Sequence, residues 1–269
     1  MDFGSVGYIF NRALSFSFAK KKLLTVFCIL ALSGLLIVFF RGLSLHAGEW
    51  VQLSLTFIPI FICTGIFLST GIFLIRVYHD EVKNRGENYK NVLSNSWEMM
   101  IGASYFAVPI ILAYLLLWML LGFFVLLREI PAVGDFVSLI LSFAPFMINL
   151  VTLILCVISL GLLFVAAPLL ALKDLSRQAI FKAAVKRMEV DPFANLVLIL
   201  VALLPLALIL VLLSISAYLT GTLCIDCSTP VQTTMKWFFF MIPFAAFLTP
   251  GVIFFFNFAA EAHVLLQKR

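Results

Sequence analysis

The chain has 269 residues, of which 64% are hydrophobic and 12% charged, with 29 Phe among them. An ordinary soluble domain carries about 25% charged residues, so this composition excludes a water-soluble core and makes lipid the solvent. The net charge of +5 is spread over short segments beside apolar runs, which argues against a nucleic-acid footprint.

Residues 5–18 open the chain with Ser5 as a candidate N-cap. Val6, Ile9, Phe10, Ala13 and Leu14 then recur at helical spacing, with Asn11, Arg12 and Ser15 opposite. Lys20, Lys21 and Lys22 follow. Residues 23–40 are uncharged and long enough to cross a bilayer core. The long amphipathic lead and the lack of a small-residue cleavage site favour a retained span over a signal peptide.

Residues 51–75 form the second expected span. The charged stretch after it holds an amphipathic stripe over 88–100, made of Tyr89, Val92, Leu93, Trp97 and Met100. Residues 101–127 form the third span. The fourth, 136–172, has 37 residues without a charge, roughly 55 Å as one helix against a core of about 30 Å. One span kinked at Pro145 or Pro168 and protruding at an end is the favoured reading; a broken helix is the alternative.

The third amphipathic stretch is 176–190, the heart of KDLSRQAIFKAAVKRMEVDP. Ile180, Phe181, Ala184, Val185 and Met188 share one face, with Lys182, Lys186 and Glu189 opposite. Asp174 or Ser176 suits the N-cap, and Pro192 favours an end just before it. Basic amphipathic helices of this kind lie flat in a headgroup layer. Residues 193–220 and 237–260 complete six spans. Lys and Arg fall 15 to 3 on alternate connections, and this bias places both termini in the cytoplasm.

The expected fold is therefore all-α: a polytopic membrane helix bundle in one domain, with six transmembrane helices and three cytoplasmic interfacial helices. Each unit reads as one amphipathic helix followed by two spans, a candidate threefold internal repeat. Phe10-Asn-Arg-Ala-Leu14-Ser-Phe-Ser-Phe18 aligns with Tyr89-Lys-Asn-Val-Leu93-Ser-Asn-Ser-Trp97. Phe181-Lys-Ala-Ala-Val185 follows the pattern only.

The search for chemistry yields little. No Asp, Glu, Lys, Arg or His falls inside the expected spans, and such residues usually mark ion paths. Asn149 and Asn257 are the candidate cavity-lining groups, although helix-to-helix hydrogen bonding is the plainer reading for polar residues at depth. Glu261 and His263 are read as a solvated helix end in preference to a pair. No His or Cys spacing suits a metal, and no cofactor is implied. Cys224-Ile-Asp-Cys227 matches a redox pair in spacing, but a strained local disulfide or two free thiols is favoured. Arg12, Lys20, Lys21, Lys22, Lys182, Lys186 and Arg187 are the candidate contacts to lipid headgroups. A role in fixing topology is compatible with this.

The three-unit layout, with Pro-Leu-Leu-Ala-Leu-Lys-Asp-Leu-Ser at 168–176 leading into a basic helix, resembles a group of bacterial membrane proteins. These are similar to the membrane domain attached to some glycerophosphodiester phosphodiesterases. The resemblance implies a six-span protein of the cytoplasmic (inner) membrane and hints at lipid handling. The phosphodiesterase's own metal-binding acidic and His residues are missing from this sequence. The expectation is a non-enzymatic scaffold or lipid-handling module whose partners are membrane lipids. A transporter, or a transporter's membrane subunit, for an apolar or lipidic substrate is the alternative, and a thiol oxidoreductase comes third.

Overall fold

A backbone surrounded by hydrocarbon must satisfy its own N–H and C=O groups, and helices do this within one segment. The computed structural model describes residues 3–45, 47, 49–83, 89–128, 130, 143–172, 177–221 and 230–267, and these are almost wholly helical. The first unit comprises α1 (Phe3–Ser15), a 3₁₀ turn (Phe16–Phe18), α2 (Lys20–Ser44) and α3 (Glu49–Val82). The second comprises α4 (Tyr89–Ser104), a 3₁₀ turn (Tyr105–Ala107), α5 (Val108–Arg128) and α6 (Ala144–Leu172). The third comprises α7 (Arg177–Val190), α8 (Pro192–Leu219) and α9 (Pro230–Gln267). The order short, long, long thus recurs three times. Six helical stretches are long and apolar enough to cross a membrane, which makes this a multi-pass all-α bundle.

The packing repeats with the order. Helices α3, α6 and α9, the last of each unit, touch one another at the centre. The middle helices lie outside them: α2 against α3 and α9, α5 against α6 and α3, α8 against α9. Each short helix docks on the inner helix of the preceding unit: α4 on α3, α7 on α6 and α1 on α9, which closes the ring. Burial follows the same division, at 67% for the span in α3 against 11% for that in α8.

Lipid tails are as apolar as Leu, so close approach and hydrogen bonds must hold such helices together. Small residues accordingly fill the centre: Ala166 and Ala167 on α6, and Ala259, Ala260 and Ala262 on α9, are all buried. Phenylalanines fill the remaining gaps, with Phe10 edge-on to Phe254 at 4.9 Å and Phe164 edge-on to Phe255 at 5.8 Å. The inner helices also share a short pattern at a period of 90 residues: Ser69-Thr-Gly71, Ser159-Leu-Gly161 and Thr249-Pro-Gly251. Each hydroxyl donates to the carbonyl four residues back, at 3.2, 2.8 and 2.7 Å.

Several expected boundaries move. The second span does not stop at residue 75, because α3 continues to Val82. Charge alone does not end a helix, and Arg76 is held there by neighbouring groups. The sixth likewise starts at Pro230 and ends at Gln267. The amphipathic stretch at 88–100 extends to Ser104 before the 3₁₀ break. Helix α6 begins at Ala144, which puts Pro145 in its first turn, where proline initiates a helix, and leaves Pro168 as its internal proline. The segment 131–142 lies outside the described residues, and with it the choice between a kinked and a broken fourth span. Asp174 and Ser176 lie outside them too. Helix α7 ends at Val190 as Pro192 led one to expect, and Pro192 then opens α8 at its first turn.

Candidate functional site

The three short helices were expected to bury their apolar stripes in lipid. In the structure most of the stripe on α1 and on α4 faces protein. Ile9 and Ala13 of α1 are buried, with Val6 and Phe10 packed beside them on the core. Val92 of α4 is buried, and Tyr89 and Met100 pack inward. What remains outside is a pair one turn apart on each of the first two copies: Leu14 and Phe18 on one, Leu93 and Trp97 on the other. In α7 Ala184 packs inward and Val185 is exposed.

These helices bring the charged groups together at the end where α2 begins and α3 and α9 finish. Lys20–Lys22 lie in the first turn of α2, where the helix dipole disfavours a cation. Glu81 lies in the last turn of α3, where it disfavours an anion. The two misplaced charges offset each other: Lys22 Nζ pairs with Glu81 Oε2, and the Lys22 side chain is fully buried while Glu81 is 25% exposed. The same ammonium donates to Phe16 O at 3.4 Å and lies 5.6 Å from the centre of the Tyr78 ring. Tyr89 of α4 donates its hydroxyl to Glu81 Oε1 at 2.9 Å. Burial first, then the bond and charge of Glu81, push the Tyr89 phenol above the ordinary tyrosine value.

A second pair stands beside the first. Tyr78 donates to Glu261 Oε1 at 2.5 Å, and Arg12 Nε lies 3.5 Å from the same oxygen. Glu261 and His263 are therefore not a solvated helix end: the Glu261 side chain is 11% exposed and His263 is buried. Each takes a cation from another helix: Arg12 of α1 lies against Glu261, and Arg187 of α7 against His263. Arg187 Nη1 donates to His263 Nδ1 at 3.0 Å. Because arginine has no acceptor, the imidazole carries its proton on Nε2. Arg187 Nε donates to Asn195 Oδ1 at 3.1 Å, and Asn195 Nδ2 returns a bond to Arg187 O at 2.9 Å. The Phe164 ring lies 5.9 Å from the guanidinium. Burial draws the Arg187 pKa down to about 10, which leaves it charged at neutral pH.

The candidate headgroup contacts thus divide. Lys20, Lys21, Lys182 and Lys186 are exposed, with Lys21 also lying 5.6 Å from the centre of the Tyr89 ring. Lys22 is turned inward and leaves that set, while Arg12 and Arg187 are half-buried and engaged with protein. Asn149 and Asn257 are not brought together. Asn257 is fully buried near the charged end, its amide 3.4 Å from Ala13 O and 3.5 Å from Ser17 Oγ. Asn149 lies in the second turn of α6, toward the other end of the bundle. Cys224 and Cys227 lie outside the described residues. Among the described residues no group of three His, Cys, Asp or Glu is placed to hold a metal.

Arg76, the first residue of the charged stretch after the second expected span, is a structural joint within α3. Its Nε donates to Ala171 O at 3.1 Å and its Nη1 to Ser96 Oγ at 2.9 Å, tying α3 to α6 and α4. Ser96 and Ser17 occupy the same place in the aligned segments, and both are fully buried. Asn257 reaches Ser17 from α9 as Arg76 reaches Ser96 from α3. The shared serine was visible in the sequence; its partner was not, because each partner comes from the preceding unit.

The fold and its charged end define a multi-pass membrane protein whose short helices lock neighbouring units together. No protein family matches this chain, and no curated protein or solved structure matches it.

Proposed function

We propose that this is a non-enzymatic lipid-handling module of the cytoplasmic membrane, with both termini in the cytoplasm and its three short helices at the inner leaflet. One observation carries the reading: Lys20, Lys21, Lys182 and Lys186 remain exposed while the neighbouring cations are consumed inside the bundle. Each exposed lysine near an anionic surface is worth about 1 kcal/mol of attraction. The outward pairs Leu14 with Phe18 and Leu93 with Trp97 add an apolar edge at the same level, as interfacial helices do. The resemblance of the sequence layout to the phosphodiesterase-linked membrane domains is in keeping with the same reading.

The test is lipid preference after reconstitution into vesicles of mixed zwitterionic and anionic phospholipid. The wild type should enrich anionic lipid in its surrounding shell. Replacing the four lysines with Gln should remove that enrichment and leave the fold intact. Equal enrichment in both proteins overturns the proposal. A second reading, a transporter for an apolar or lipidic substrate, rests on an apolar cavity of about 210 Å³ inside the bundle. Accelerated movement of labelled lipid between leaflets would favour it over a static module.

A further inference from the structure

The ring of three units is not equally closed. Helix α2 packs on the inner helix of the preceding unit, α9, and α5 does so on α3. The matching contact, α8 on α6, is all but lost among the described residues. At that seam lies the 210 Å³ cavity, walled by Leu160 and Leu163 of α6, Leu203 and Leu210 of α8, and Leu248 and Phe255 of α9. Its lining exposes no polar atom. Leu203 and Leu210 stand 11 and 18 residues beyond the start of α8, roughly 17 to 27 Å along it, which is hydrocarbon depth in a core of about 30 Å.

The charged end of the same seam holds Arg187. Its Nε and Nη1 are bonded to Asn195 and His263, but its Nη2 is buried with no hydrogen-bond partner. A charged donor left so is costly, and a phosphate oxygen is its natural complement. Phe164 links the two features: its ring lies over Arg187 and edge-on to Phe255 of the cavity wall. Asn195, the residue that holds the guanidinium, precedes Leu203 by eight residues, or roughly 12 Å of helix.

We infer that the α6–α8 seam is a binding site for one anionic phospholipid, with an acyl chain in the cavity and the phosphate at the Arg187 end. The inference rests on the lipid-handling reading but uses a different surface from the exposed lysines. A bilayer lipid would enter this seam sideways, between α6 and α8, where the two helices make few contacts among the described residues.

The experiment is native mass spectrometry of the full chain, reconstituted in an equimolar mixture of anionic and zwitterionic phospholipids and released from detergent. The expected result is one diacyl anionic phospholipid retained per chain. Leu203→Trp, which fills the cavity, should reduce retention at least fivefold. Leu212→Trp, on the exposed side of the same helix, should leave it unchanged and serves as the control for folding. Arg187→Lys should abolish the preference for anionic over zwitterionic lipid while one lipid is still held. Retention of no lipid, of a zwitterionic lipid by the wild type, or equal retention by the Leu203→Trp and Leu212→Trp proteins overturns the inference. Loss of shell enrichment on removing the four lysines, with the seam lipid still held, overturns neither, and the two proposals therefore fail separately.

Discussion

Lys22 and Glu81 give the sharpest test of the internal charge network, because their environments are unequal. Removing one member of a buried ion pair costs about 3–5 kcal/mol, chiefly from the charge left behind. Glu81→Leu leaves the Lys22 ammonium fully buried, with only the long bond to Phe16 O and the Tyr78 ring as company. Lys22→Met leaves a carboxylate that is 25% exposed and still accepts from Tyr89. Water and the phenol compensate that charge in part, so the lysine deletion belongs at about the lower end of the range, near 3 kcal/mol, and the glutamate deletion at about the upper end. The double variant Lys22→Met/Glu81→Leu removes both charges and should recover about 2 kcal/mol against the sum of the single changes. Equilibrium unfolding in mixed detergent–SDS micelles measures all four proteins. Additive single effects, or a lysine deletion costlier than the glutamate deletion, would refute the reasoning.

A methyl group at Gly71 collides with the ring of fully buried Phe256, whereas at Gly34 it meets only the Met241 side chain. Gly71→Ala should cost about 1–3 kcal/mol, and Gly34→Ala should cost less because methionine repacks readily; the same unfolding assay ranks them. Tyr89 keeps its proton in the folded state beyond the ordinary tyrosine value. The folded chain therefore binds more protons than the unfolded one above about pH 10. The stability it contributes is present below that pH and is lost as pH rises through the raised value; Tyr89→Phe should lessen the alkaline loss in a Tm-against-pH series. Cysteines placed singly at Lys20 and Lys182 of a cysteine-free background should resist a membrane-impermeant maleimide added to intact cells, and reaction from outside would reverse the proposed orientation.

The spans were legible because length and lack of charge are local properties of a sequence. Residues 193–220 read directly as α8, Pro192–Leu219. The ends of α3 and α9 were not legible, because a helix carries Arg76, Glu81 or Glu261 onward only when another helix supplies the opposite charge or an acceptor. Lys22 illustrates the limit. In the sequence it is one of three equal lysines, and only the docking of α2 beside α3 singles it out for burial. The destination of the amphipathic faces was not legible: periodicity reveals that Ile9 and Ala13 share a side, not whether that side meets lipid or α9.

The 90-residue pattern of hydroxyl and glycine explains why the repeat was only partly visible. It lies on α3, α6 and α9, whereas the alignment of Phe10–Phe18 with Tyr89–Trp97 lies on the short helices. Those two segments are 79 residues apart, so no single offset superposes both features, and a search at one period sees half the unit. The third copy departs furthest, and it departs where α8 lies least buried. A strict threefold ring would present three equal seams, each closed by a short helix and an outer helix on the preceding inner helix. Weakening one outer contact opens one seam only, and the asymmetry places an apolar cavity beside Arg187 rather than beside Arg76. Arg76 spends its nitrogens on Ala171, Asn95, Ser96 and Met99, whereas Arg187 keeps one nitrogen unspent. Departure from the repeat, more than the repeat itself, is what gives this bundle a specific place to hold something.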